Sequence, residues 1–143
     1  MKSTIKWVDG VMFVGETGSG HALVIDGPPD AGGRNLGPRP MELVLTGLGS
    51  CTAFDVITIL EKARQQVTDC RVELAAERAT EPPKVFTSIH IHFVISGIGL
   101  KPAQVERAIA LSADKYCSAT IMLRESVAIT HDYELVEAVS TGR

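Results

Sequence analysis

From Met41 to about Gln66 the residues follow the spacing of one long helix, and nearly every face of that helix is apolar. Met41, Val44, Leu45, Leu48, Cys51, Thr52, Asp55, Ile59 and Ala63 recur at three- and four-residue steps. Leu43, Phe54, Val56, Ile57 and Leu60 fill the other faces. A helix apolar all round must be covered all round. This one is therefore expected to be a long buried central helix, wrapped by sheet or by a partner subunit. Only its last turns, with Glu61, Lys62, Arg64 and Gln65, become polar. Gly47 and Gly49 interrupt it just before Cys51. Each glycine costs about 1 kcal/mol against alanine. Either another backbone packs closely there, or room is kept beside the thiol.

Strand patterns flank this helix. Residues 4–8 and 11–16 surround Asp9-Gly10, a two-residue hairpin signal of the type I′ kind. After the turn Thr17–Gly20, His21 to Asp26 reads as a third strand. Gly27 to Pro40 holds four glycines and four prolines, so it is a loop, expected to border or cover the site. Residues 70–78 and 85–96 alternate as strands, with Ile89, Ile91, Phe93 and Ile95 on one face. Pro102 opens a second helix whose inner face carries Val105, Ala108, Ile109, Ser112 and Tyr116. A further helical piece, Ser118 to Arg124, leads to a closing strand, Val127 to Val136, and a loose tail from Ser140. The order βββ-α-ββ-α-α-β is an α+β arrangement. With 143 residues, it suits a single domain over 1–143.

A net charge of −3 argues against a nucleic-acid partner, whose phosphates require a basic face. Met1 to Ile5 carries no apolar signal core, and no uninterrupted apolar run of membrane-spanning length is evident. A cytoplasmic protein with no membrane association is expected, with its thiols kept reduced.

Three cysteines, Cys51, Cys70 and Cys117, stand far apart, with no CxxC pair. Taken singly, each reads first as a small buried hydrophobe. Cys70 opens a strand at a helix exit and is assigned to structure. Cys117 lies where two helical pieces join, and a helix N-terminus favours the thiolate there, with Lys115 adding positive charge. Asp55 follows Cys51 by one turn inside an apolar stretch, so its carboxyl needs a partner. It serves either as an anchor of the fold or as part of a site. His90 and His92 share a strand face that His131 could join in a metal site, but a solvated face explains them without one. No metal or resident cofactor is expected. The Gly27–Pro40 loop lacks a Gly-Lys-Ser/Thr phosphate motif.

Pro40-Met41-Glu42-Leu43-Val44-Leu45 leading to Gly49-Ser50-Cys51-Thr52-Ala53-Phe54-Asp55-Val56 resembles the central-helix signature of the OsmC/Ohr superfamily. Leu111-Ser112, followed by Lys115-Tyr116-Cys117-Ser118, resembles its second cysteine motif. The Asp55-Val56 and Tyr116-Cys117-Ser118 details look most like the YhfA-like branch. The likeness covers nearly the whole chain. It implies an intertwined homodimer with two sites at the subunit interface. It implies a peroxidatic Cys51 that attacks a hydroperoxide and a resolving Cys117 that closes a disulfide, with an external dithiol, such as a lipoyl group, as reductant.

The family also pairs an arginine, held by a glutamate, with the reactive thiolate. Here Glu42 stands one place later than the usual glutamate, where Met41 is found. No arginine precedes Arg34, so Arg39, then Arg34, are the candidates on the loop before the helix. Glu42 and Asp55 are supporting candidates. A serine follows Cys117 where proline is familiar. The expected activity is reduction of organic hydroperoxide or hydrogen peroxide. The rival is a dimer that binds a small ligand or senses redox state without efficient turnover.

Overall fold

The computed structural model describes residues 1–139. The tail expected to be loose, 140–143, lies outside the described residues. The described chain falls into two compact units, one over Met1–Thr46 and one from Gly47 onward.

The first unit is built on an antiparallel three-stranded sheet, β1 (Ser3–Asp9), β2 (Met12–Thr17) and β3 (Ala22–Ile25), in that order. Asp9 pairs with Met12, so Gly10 and Val11 form the hairpin turn. Gly10 alone takes a positive φ, 55°. The turn therefore follows the glycine-first pattern of type II′ rather than the expected type I′. The 27–39 loop is organised by Asp26, which is buried. Its carboxylate accepts the N–H groups of Gly27 (2.8 Å), Arg34 (3.1 Å) and Leu36 (3.2 Å). These donors, Gly27 first, hold its pKa below the ordinary carboxylate value.

Helix α1 runs Pro40–Lys62 and begins in the first unit. Proline at its first position suits a site whose N–H would have no partner. Glu42 reaches back to accept the Arg39 N–H at 2.8 Å, which is one half of a capping box. The helix stops four residues short of the expected Gln66. Arg64 takes a left-handed φ of 56°, and Arg64 N–H and Gln65 N–H bond the carbonyls of Glu61 (2.9 Å) and Leu60 (3.0 Å). That is a Schellman ending, formed here without glycine.

The second unit contains the sheet β4 (Gln66–Arg78), β5 (Phe86–Ile98) and β6 (Ala128–Glu137), ordered β4-β5-β6. β4 and β5 pair antiparallel, while β5 and β6 pair parallel across a helical crossover. The crossover comprises α2 (Pro102–Leu111), one π-helical turn (Ser112–Tyr116) and α3 (Ser118–Leu123). Ile89, Ile91, Phe93 and Ile95 are buried on one face of β5. With Leu48, Val56 and Leu60 of α1 and Val105, Ala108 and Ile109 of α2, they form the core.

Within the single chain, α1 is not buried all round. Its buried positions Leu48, Thr52, Val56 and Leu60 form a stripe at four-residue steps, while Phe54 is 74% exposed. One sheet and one neighbouring helix can cover only one side of a helix. A Cβ on Gly49 would stand 2.6 Å from Leu74 Cδ1, so this glycine permits the approach of α1 to β4. Nothing lies within 4 Å of a Cβ built on Gly47. The helix also has the length and apolarity of a membrane span, contrary to the sequence expectation. Its interior Asp55 did not break the run enough to exclude one; the buried stripe and the approach to β4 put one side of the helix in the core.

Candidate active site

Cys51 and Cys117 are 66 positions apart in sequence, yet the fold brings the Cys51 thiol near enough to Cys117 to raise its pKa. Both thiols are free. Cys51 is half-buried on α1, and Cys117 is fully buried.

Local backbone features aim Cys117. At the π turn the Cys117 N–H bonds the Ser112 carbonyl at 2.8 Å, five residues back. The chain then extends at Cys117 (φ −73°, ψ 103°), which becomes the N-cap of α3. Its sulfur accepts the Thr120 N–H at 3.4 Å and the Thr120 hydroxyl at 3.2 Å. Burial raises the Cys117 pKa, the Thr120 donors oppose that rise, and the neighbouring Cys51 adds to it. The helix N-terminus foreseen from sequence is thus present, but burial outweighs it. Lys115 places its ammonium over the Tyr116 ring, 5.3 Å from the centroid.

A chain of polar side chains clamps the two cysteine-bearing segments together. Ser112 donates its hydroxyl to Asp55 Oδ2 at 3.0 Å. Ser112 and Thr52 meet hydroxyl to hydroxyl at 2.8 Å. A serine has one hydroxyl proton, so Thr52 is the donor to Ser112. Thr52 and Ser112 are both buried. Asp55 has the partner its surroundings demand. The part played by Thr52 and Ser112 was not foreseen, although both hydroxyls fall on the inward spacing of their helices.

Arg39 and Glu42 form an ion pair at 3.7 Å, and Arg39 also donates to Asn35 Oδ1 at 2.8 Å. Arg34 pairs with Asp9 of β1. Cys70 is half-buried on β4, and burial, then Asp69, raises its thiol pKa.

The two strand histidines lie on the solvent-facing side of β5, as expected, but their partners there are acids of β6. The parallel register sets His90 against Thr130 and His92 against Asp132, which turns His131 to the opposite face. Asp132 Oδ1 accepts from His92 Nδ1 at 2.7 Å and His90 Nε2 at 2.9 Å, and His92 Nε2 reaches Glu134 at 3.3 Å. These contacts, Asp132 first and then Glu134, raise the His92 pKa. Among the described residues, no three His, Cys, Asp or Glu side chains are arranged to hold a metal ion.

The sequence model of the OsmC-like protein family matches residues 32–132, and the chain belongs to that family. It is 49% identical over 138 residues to Protein YhfA of Escherichia coli (strain K12), across 96% of this chain and 100% of that one. A crystal structure of a hypothetical protein from Aquifex aeolicus superposes with a TM-score of 0.85 at 29% identity, covering 96% of this chain and 97% of that one. The organic hydroperoxide resistance protein OsmC of Legionella pneumophila shares the fold, with a TM-score of 0.70 at 19% identity over 94% of this chain and 97% of that one.

Proposed function

We propose that this protein is a thiol-dependent peroxide reductase. The observation that carries the reading is the nearness of Cys51 to Cys117, on segments that the Thr52–Ser112–Asp55 hydrogen bonds hold together. Cys51 is the more accessible thiol and takes the part of nucleophile. As thiolate it attacks the distal peroxide oxygen, the O–O bond breaks, and the alkoxide leaves with a proton as alcohol. Cys51 is then a sulfenic acid. The Cys117 thiol attacks that sulfur, releasing water and leaving a Cys51–Cys117 disulfide. An external dithiol, a lipoyl-type group among the candidates, returns both thiols.

The resemblance supplies the remaining parts of the proposal. Arg39, held by Glu42, is its first choice of cation for the thiolate, ahead of Arg34, and Asp55 supports the segment that carries Cys51. A homodimer would cover the apolar side of α1 that one chain leaves exposed at Phe54. The alternative, a binding or redox-sensing dimer with little turnover, is favoured by one observation: burial raises the pKa of Cys117, which slows it as a resolver.

The deciding experiment is intact mass under non-reducing conditions after one equivalent of cumene hydroperoxide. Fast loss of two hydrogens, mapped by peptides to Cys51 and Cys117, supports the reductase. Cys51→Ser should abolish turnover, and Cys117→Ser should stop after one oxidation. Three thiols still free after exposure would reject the reductase in favour of the binding protein.

A further inference from the structure

The solvent face of the β4-β5-β6 sheet is laid out in rows that cross the three strands in register. Glu77, Ser88 and Ala128 make one row, Ala75, His90 and Thr130 the next, and Glu73, His92 and Asp132 the one after. Successive rows stand two residues apart along each strand, so these side chains share one face. Ala75, Ser88 and Ala128 are short and leave the surface between Glu77 and His90 unfilled. The result is a hollow of ≈ 430 Å³, with His90 and Thr130 in its lining.

Three side chains at this hollow are joined in a line. Thr130 Oγ1 stands 2.7 Å from His90 Nδ1, and His90 Nε2 stands 2.9 Å from Asp132 Oδ1. The protons follow from what each group can give. The Asp132 carboxylate has none, so His90 Nε2 donates to it. A neutral imidazole has a single N–H, so Nδ1 is bare and accepts the Thr130 hydroxyl proton. His92 Nδ1 donates to the same Asp132 oxygen at 2.7 Å and helps to hold it. Pairing of His90 with Asp132 alone would leave Nδ1 to water. Here that nitrogen meets the one hydroxyl that borders the hollow from β6. A hydroxyl on a base, with the base oriented by a carboxylate, is the arrangement that makes an alcohol a nucleophile.

We propose that Thr130 is a nucleophile for small acyl groups, with His90 as its general base and Asp132 as the residue that positions His90. The hollow takes the acyl group of a small uncharged ester, and Glu77 in its lining disfavours an anionic one. Thr130 Oγ1 attacks the ester carbonyl carbon while its proton passes to His90 Nδ1. The Ser88 hydroxyl lines the same hollow and is the donor available to the oxyanion. The bond to the leaving oxygen then breaks, and the alcohol departs with the proton held by His90. Water gives a proton to the freed Nδ1 and attacks the acyl-threonine. The carboxylic acid leaves, and the proton returns to Thr130. No thiol takes part, so this activity stands or falls apart from the reductase reading.

The test treats the full-length reduced protein with 4-nitrophenyl acetate and maps acetyl groups by peptide mass. The map separates a Thr130 ester from acetylated thiols and lysines. Thr87 is the internal control, an exposed hydroxyl that donates to the Glu77 carbonyl and has no base beside it. Thr130 should be acetylated about a hundredfold faster than Thr87, the lower end of what a general base contributes. His90→Gln should remove that advantage, and Thr130→Ser should keep it. Nitrogen-15 histidine spectra should show His90 with its proton on Nε2, and Asp132→Asn should lose that preference. Melting curves establish that these exposed substitutions leave the fold intact. Acetylation of Thr130 no faster than of Thr87 would overturn the proposal, and the unmodified protein alone decides this. So would an advantage that survives His90→Gln, or a His90 proton found on Nδ1. Thr130→Val should leave thiol oxidation by cumene hydroperoxide unchanged, so failure of the reductase reading shows separately.

Discussion

Thr52 and Ser112 meet through their hydroxyls at 2.8 Å, inside the protein and one residue along from Cys51 on the helix side. Ser112 passes its own proton on to Asp55, so one serine joins two α1 side chains. Ser112→Ala would remove both bonds and leave a buried threonine hydroxyl without its acceptor. The expected cost is about 1–3 kcal/mol, read from the shift in denaturant midpoint. Thr52→Val combined with Ser112→Ala should cost less than the sum of the single changes, because the two share one bond. Peroxide-driven Cys51–Cys117 disulfide formation should slow in Ser112→Ala. An unchanged rate would show that the clamp serves stability alone.

Arg64 offers a stabilising change. It holds the left-handed position of a Schellman ending, where an L side chain meets the following carbonyl. Arg64→Gly should raise stability by about 1 kcal/mol and the melting temperature by about 3–4 °C. Differential scanning calorimetry would check it. A lower melting temperature would mean that the arginine side chain contributes more than its backbone strain costs.

The β5–β6 pairing should respond to pH. His92 stands between Asp132 and Glu134 of β6, with Glu73 of β4 opposite in register and His90 sharing the same Asp132 oxygen. The raised His92 pKa means that its contribution is complete below the ordinary histidine value of 6.5 and is lost as pH rises through the raised value. Asp132 is lowered, chiefly by His92. Its contribution is present above the ordinary 3.8 and is lost as pH falls through the depressed value. Stability from this cluster is therefore greatest between the two. Melting temperature should fall from about pH 6 to about pH 8 in the unmodified protein. In His92→Gln that decline should be reduced. Parallel curves for the two proteins would rule the cluster out as its source.

Much of this architecture was legible because local signals agreed with one another. The three- and four-residue steps from Met41 placed the start of α1 within one residue of Pro40, and the alternation Ile89, Ile91, Phe93, Ile95 marked the inward face of β5. The misread end of α1 carried no glycine, and nothing in the side chain of Arg64 announces a positive φ. The partners of His90 and His92 come from β6, through a parallel register that no local spacing encodes. His131, weighed as a possible third member of that group, stands one residue from Asp132, and in a strand one residue is a change of face. Cys51 and Cys117 could be paired only through a family resemblance, since their approach depends on how α2 returns along α1. Asp26 passed unnoticed as the last residue of a strand, because its three donors lie in a loop whose path the glycines and prolines permit but do not spell out.

The π turn ahead of Cys117 makes residue count matter there more than residue identity. Its closing bond spans five residues where an α-helical bond spans four. Deleting any one residue between Ser112 and Cys117 would let α2 continue in ordinary register. The cysteine would then swing by about 100° around the helix axis. Substitutions within Ala113–Lys115 leave that phase untouched, whereas one lost codon turns the second thiol away from the first. Along this stretch, lineages that keep the two-thiol chemistry should vary freely in spelling while holding their length fixed.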